Sequence, residues 1–116
     1  MRTDITQFIR VSKRLTQAVG FLELDMPHKA IESLENLDPL GPFEAEAELL
    51  RGEAFRRQRR FREAAKSFKV AARKSLSPQD REAYLAMSVC YHQAGNPVQA
   101  LKMLARARGA NLPKRK

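Results

Sequence analysis

The chain has 116 residues, a formal net charge of +9 and a single cysteine, Cys90. A chain of this length has room for one domain with a modest hydrophobic core. One cysteine cannot form an internal disulfide, which indicates a protein of a reducing compartment. The first residues are too polar for a signal-peptide core, and no apolar run approaches the ~20 residues that a membrane span requires. We therefore expect a cytoplasmic protein with no membrane span.

Apolar residues at helical spacing predict a first helix that starts at a Thr3 or Asp4 cap and ends near Leu24. Pro27 follows soon after this helix. Proline is favoured in the first turn of a helix, because the N–H that it lacks has no partner there in any case. A second helix is therefore expected to begin at Pro27.

The same break recurs later at Gly95, Asn96 and Pro97, with Asn96 as the expected N-cap. Turn-rich segments separate the helix pairs from one another. Within the repeats, the sequence predicts six helices at about 10–24, 27–37, 44–58, 61–75, 80–94 and 97–108. The first of these is extended at its N-terminus towards the cap at Thr3 or Asp4.

A set of small, aromatic and apolar residues recurs with offsets of 34 and 36 positions. The small residue is Ala18, Gly52 and Ser88 in turn, and the aromatic three positions later is Phe21, Phe55 and Tyr91. Downstream, Ala30, Leu34 and Leu37 recur as Ala64, Phe68 and Ala71 and as Ala100, Leu104 and Ala107. This periodicity indicates an internal repeat of helix pairs. A small residue at a helix crossing lets the backbones approach, so Gly52 should pack against Ala64 and Phe68.

The pattern resembles the tetratricopeptide repeat (TPR) family, whose repeat ends in Ala-x-x-x-Phe and a closing Pro. The likeness covers roughly residues 11–113. It implies an all-α solenoid of three antiparallel helix pairs with an extended first helix. The implied domain is 1–113, with repeats at about 11–44, 45–80 and 81–113, closing prolines at Pro39, Pro78 and Pro113, and a basic tail at 114–116.

The first two repeats depart from the family pattern in their first helices. Arg14 and Gln17, then Glu48 and Arg51, stand where the family usually has Trp and Leu. Repeat three, with Tyr84 and Met87, keeps the pattern. The first helix of repeat one is therefore a candidate for rotation away from the family orientation.

The resemblance also implies a concave groove lined by the first helix of each pair. Its apolar residues would be Leu15, Val19, Leu49, Leu85 and Val89, and its polar rim Glu53, Arg57, His92 and Gln93. Such a groove suits an extended peptide or an amphipathic helix of another protein. Alternatively, rotated first helices bury Leu49 and Leu50 in the core, and His92 is simply solvated. The expected function is a non-catalytic adaptor, chaperone or assembly module.

A second candidate surface is the basic stripe, which consists of Arg62, Lys66, Lys69, Arg73, Lys102 and Arg106. The first four are spaced 4, 3 and 4 apart, which places them on one face of the fourth helix. Nucleic acid or another anionic surface is the alternative partner, bound through the basic residues of the segment 56–74. The stripe lacks interleaved aromatics that stack on bases, so the sequence favours a solvated outer face over a binding surface.

No catalytic or metal-binding constellation is expected. His28 and His92 fall in different repeats, and no Cys/His cluster has metal-ligand spacing. Cys90 fits a small buried packing position better than a reactive thiol. We therefore expect no enzymatic activity and no cofactor.

Self-association through the ends of the solenoid is a further expectation. Ile5, Phe8 and Ile9 extend an apolar stripe beyond the first repeat, and the last helix offers Leu101 and Leu104. Open ends of a repeat array are poorly soluble, so a homodimer is expected. A structural protein that stacks end to end is a third interpretation, whereas folding of the stripe onto its own repeat would remove the interface.

Overall fold

The computed structural model describes residues 5–76 and 78–109, which form six α-helices and no strand. The helices are α1 (Ile5–Glu23), α2 (Pro27–Ser33), α3 (Glu44–Arg57), α4 (Phe61–Lys74), α5 (Arg81–Gln93) and α6 (Pro97–Gly109), with a 3-10 turn at Gly41–Phe43. Each helix packs against the next along the chain. The predicted all-α solenoid of helix pairs is confirmed. The expected cap at Thr3 or Asp4, Pro113 and the tail 114–116 lie outside the described residues.

The turn inside each helix pair has the same geometry in all three repeats. One residue adopts a left-handed conformation, with φ of 57° at Asp25, 63° at Arg59 and 83° at Gly95. The next N–H donates to the carbonyl of the repeated aromatic, from Met26 to Phe21 at 2.7 Å, from Arg60 to Phe55 at 2.9 Å and from Asn96 to Tyr91 at 2.8 Å. This bond and the left-handed residue before it form the Schellman type of helix ending. The repeated aromatic therefore marks where each first helix closes.

Two predicted helix starts are confirmed, and one predicted end is wrong. Pro27 lies in the first turn of α2, and the Asn96 side chain accepts a bond of 3.3 Å from the backbone N–H of Gln99. The second helix, expected to reach residue 37, ends at Ser33. Tight turn bonds follow it, and Asn36 adopts a left-handed φ of 58°, which no helix can continue through.

The core consists of two clusters of buried side chains. The first lies among α1, α2 and α3 and contains large aliphatic residues, namely Val11, Leu15, Leu22, Leu34 and Leu37. The second lies mainly between α4 and α5 and is rich in alanine around Phe68, Met87 and Cys90. A Cβ added to Gly52 would stand 2.6 Å from the Phe68 ring, which confirms the expected close approach at that position.

Cys90 is fully buried, as predicted for a packing residue. Burial raises the pKa of its thiol to about 11, although the nearby Arg56 guanidinium favours the thiolate. A thiol with a raised pKa stays protonated near neutral pH, and the protonated form is a poor nucleophile. The side chain is thus suited to packing and not to chemistry.

Candidate protein-binding trough

An apolar trough runs along the side of the solenoid formed by the first helices. One depression of about 410 Å³ lies between α1, the 3-10 turn and α3, and a second of about 540 Å³ lies between α3 and the start of α5. The two share Glu46, Leu49 and Glu82, so they form one continuous surface. Its apolar residues are Leu15, Val19, Phe43, Leu49, Leu50 and Leu85.

Several expected groove residues project from this side of the solenoid. Val19 on α1 and Leu85 on α5 are each 41% exposed, and Val89, one turn after Leu85, is 45% exposed. Leu49 on α3 is half-buried between them. Scattered single apolar residues are common on surfaces, but a contiguous apolar surface on three helices is typical of an interaction site.

Leu15, expected as a groove contact, lines the trough at its floor. Only 8% of the residue is exposed, because it lies on the buried stripe of α1 with Val11, Ala18 and Leu22. It forms the floor of the trough and does not project into it.

The question of whether Leu49 and Leu50 are groove or core residues has a mixed answer. Both are half-buried, Leu50 against the first core cluster and Leu49 against the second. Each therefore contributes one side to the core and the other side to the wall of the trough.

Glu53 and Arg57, expected on the polar rim, both form hydrogen bonds with other groups of the same chain. Glu53 accepts bonds of 2.7 and 3.0 Å from Arg56 and of 2.9 Å from Arg57. Arg57 also donates to the backbone carbonyl of Leu22 at 2.7 Å and lies 3.5 Å from Asp25. Partial burial raises the pKa of Glu53, but the bonds from the two arginines outweigh it and hold this pKa below its usual value. The pair therefore ties α3 to the end of α1.

His92 lies exposed in the last turn of α5, with Gln93 beside it at the helix end. Both are two turns beyond Leu85, further along α5 than the residues that line the trough. The structure therefore does not bring His92 together with Val19 and Leu49.

Three arginines that sequence reasoning did not assign converge on the end of α2. Arg10 donates to the carbonyl of Asn36 at 2.8 Å, Arg14 to that of Ser33 at 2.9 Å and Arg51 to that of Leu34 at 3.1 Å. The last carbonyls of a helix lack intrahelical partners, so these side chains satisfy groups that would otherwise need water. For Arg14 and Arg51, the available signal was the presence of arginine where the family usually has Trp or Leu.

All six residues of the basic stripe are exposed. In the described part of the chain, none of the four on α4 forms an ion pair, although Lys66 interacts electrostatically with Glu63. Arg106 on α6 lies 5.9 Å from the centre of the Tyr84 ring. The stripe is thus available to an anionic partner along α4.

The apolar residues at the solenoid ends differ in exposure. Ile5 is 74% exposed and Ile9 is 49% exposed, whereas Phe8 packs partly on Phe43, with ring centres 5.2 Å apart. At the other end Leu101 is 66% exposed and Leu104 is half-buried. Only part of the N-terminal stripe therefore folds onto its own repeat.

Within residues 5–76 and 78–109, no helix has the length and apolar character needed to cross a membrane. Within the same ranges, no cluster of three or more His, Cys, Asp or Glu side chains is arranged to hold a metal ion.

Comparison with known families identifies the repeat. A family model described as Tetratricopeptide repeat matches residues 15–75 and again residues 49–114. A search of curated proteins finds no significant match. Repeats of this type generally mediate protein–protein interaction and are typically non-catalytic. The two matches together cover most of the sequence, and the chain belongs to the tetratricopeptide repeat family.

Proposed function

We propose that this chain is a non-catalytic interaction module that holds a peptide or helix of another protein in the trough, as an adaptor, chaperone or assembly factor. The observation that carries the proposal is the exposure of Val19 and Leu85, which flank Leu49 on two other first helices. A partner that covers these side chains removes apolar surface from water on three helices at once. Val89 is one turn beyond Leu85 on α5 and is also exposed, although it lines neither depression.

The size of the expected effect follows from burial. Covering one leucine side chain is worth about 1.5–3 kcal/mol, which corresponds to roughly a tenfold or greater change in affinity. Replacement of Leu85 by aspartate removes this contribution and places a charge in the interface. Because Leu85 is 41% exposed, the free protein should keep its fold.

Affinity capture from the native cytoplasm, followed by mass spectrometry, tests the proposal. Wild type is compared with Val19→Asp, Leu85→Asp and the control Val98→Asp, which changes a residue that is 64% exposed on α6. We expect the two trough variants to lose partners that wild type and the control retain, while circular dichroism stays unchanged. Retention of every partner by both trough variants argues against the trough. Loss of folding in Leu49→Asp and Leu85→Asp alike identifies both as core residues and moves the proposed surface to the basic stripe.

The basic stripe supports a second candidate function, the binding of nucleic acid or another anionic surface. It is favoured by the exposure of Arg62, Lys66, Lys69 and Arg73 without ion pairs in the described residues. Phosphate contacts weaken steeply with salt, whereas apolar contacts in the trough change little. Capture with and without nuclease, at low and moderate salt, separates the two. Partners that survive both treatments argue against this candidate.

A homodimer through the solenoid ends is proposed as a feature of assembly. The exposed Ile5 and Ile9 support it, and Leu101 offers a comparable surface on α6. Light scattering should show a dimer at high micromolar concentration, and Phe8→Asp should shift it towards the monomer. A strict monomer at that concentration, or an unchanged mass for Phe8→Asp, contradicts an N-terminal interface.

A further inference from the structure

Two carboxylates stand beside the apolar trough. Glu46 lies in the first turn of α3 and Glu82 in the first turn of α5, and both are exposed. Both line each of the two depressions, as Leu49 does. In the described part of the chain neither forms an ion pair. The trough is therefore apolar along its length and negatively charged where its two depressions meet.

The surrounding basic groups compensate this local negative charge only in part. Arg81 lines the second depression, whereas no basic side chain among the described residues lines the first. The chain as a whole carries +9, so the trough differs in sign from the average surface. A partner attracted by overall charge would be acidic, and one matched to the trough would be basic.

Acidic residues in the first turn also interact favourably with the helix dipole, which is a structural reason for Glu46 and Glu82. Glu44 provides the comparison, because it occupies the same turn of α3 and lies 3.7 Å from Lys74. Its charge is engaged within the chain, whereas that of Glu46 faces the trough. Helix stabilisation alone thus does not account for an unpaired carboxylate beside Leu49 and Leu50.

We infer that the occupant of the trough is a cationic apolar segment, which combines leucine-like side chains with lysine or arginine. The apolar side chains cover Val19, Leu49 and Leu85, and the basic groups pair with Glu46 and Glu82. This inference rests on the proposed function, since it specifies the chemistry of the segment that the trough binds. It excludes an acidic segment as the preferred ligand.

A phage-displayed library of random 12-residue peptides, selected on the full chain, tests this preference. Overall charge favours acidic peptides, so enrichment of peptides with Lys or Arg beside Leu, Ile or Phe runs against the non-specific background. We expect enriched peptides to bind Glu46→Gln/Glu82→Gln about fivefold more weakly than wild type, the order expected for two exposed charge pairs. The matched Glu44→Gln/Glu35→Gln variant removes the same charge elsewhere and should bind as wild type does, within about twofold.

Val19→Ser and Leu85→Ser test trough binding separately from the cationic preference, because they remove apolar contact without adding charge. Peptides that lose affinity for these variants but are neutral or acidic, or that ignore the Gln substitutions, overturn the cationic preference and leave trough binding intact. Peptides that bind both Ser variants as well as wild type, or a selection that enriches none, overturn the cationic preference and the trough together.

Discussion

The first and third repeats share one turn geometry but are held together differently. In repeat one, Arg14 of α1 reaches the carbonyl of Ser33 at the end of α2, and Arg10 reaches that of Asn36. In repeat three, Tyr84 and Met87 contribute to a largely apolar cluster, and Ser88 donates to the carbonyl of Ala100 at 2.9 Å. Repeat one thus adds arginine–carbonyl bonds to its aliphatic core, whereas repeat three relies on packing and one serine bond.

This difference shows what replaces the missing apolar residues of the repeat pattern. The short α2 is followed by a turn whose carbonyls need partners, and arginines from α1 and α3 supply them. Arg14 and Arg51 therefore carry structural roles at positions that the pattern assigns to apolar packing. Repeat two lies between the extremes, since Arg51 binds backwards to repeat one while Gly52 packs against Phe68.

The largest expected loss of stability comes from substitutions at the apolar cluster between α4 and α5. Phe68 is 2% exposed, and Phe68→Ala should lower the free energy of unfolding by about 3–5 kcal/mol through lost burial and a cavity. Gly52→Ala should cost about 1–3 kcal/mol, because its Cβ would stand 2.6 Å from the Phe68 ring. Urea denaturation measures both. A cost below about 1 kcal/mol for Phe68→Ala would show that this contact does not hold α3 and α4 together.

The second largest loss of stability is expected when the arginines that bind the end of α2 are removed. Arg14→Ala and Arg51→Ala should each cost about 1–2 kcal/mol, because each leaves a carbonyl at the end of α2 without its charged donor. Arg62→Ala is the control, since Arg62 is exposed and has no ion pair in the described residues, and it should stay within about 0.5 kcal/mol of wild type. Equal stabilities for all three variants would contradict the role of arginine in repeat one.

A smaller change in stability is expected at the left-handed residue of the turn that all three helix pairs share. Gly95 has a φ of 83° and open space around its Cβ position, so Gly95→Ala should cost about 1 kcal/mol from backbone conformation alone. Gly20→Ala is the matched control inside α1, with equally open space, and should instead stabilise by about 0.5–1 kcal/mol. Thermal unfolding of both variants measures the difference. Shifts of the same sign would argue against a left-handed residue at Gly95.

The smallest expected effect on stability concerns the buried thiol of Cys90, because this effect is absent near neutral pH and appears only at alkaline pH. The pKa of Cys90 is about 11 in the folded chain against an ordinary value of 9.0, so the unfolded chain loses this proton first as pH rises. Stability should therefore fall between those two values in wild type more than in Cys90→Ala. Alkylation of the native protein by iodoacetamide near neutral pH should also be slow. Rapid alkylation of the folded chain is the result that contradicts burial.

The fold was predictable because one pattern recurs in every repeat. The small residue and the aromatic mark a crossing and a helix ending, and both depend on local chain geometry, as the turns after Phe21, Phe55 and Tyr91 illustrate. The early end of α2 was not predictable, because it accompanies bonds from side chains on two other helices. Tertiary contacts of this kind leave no periodic signal.

The trough was predictable only in part. Val19, Leu49 and Leu85 follow from the family register, and the structure places them along the trough. The depth of Leu15 at the floor of the trough was not predictable, because it depends on how the buried stripe of α1 is rotated against α3. Phe43, Glu46 and Glu82 were missed because they belong to helix starts and a 3-10 turn, where no repeat position marks them.

The most direct test of trough binding is a ¹⁵N NMR titration of the full chain with a peptide that it selects. We expect the largest amide shifts to fall on Val19, Leu49, Leu85 and their neighbours, while Arg62 and Lys69 of α4 stay unchanged. Shifts concentrated on α4, with the trough residues unchanged, would contradict the account and assign binding to the basic stripe.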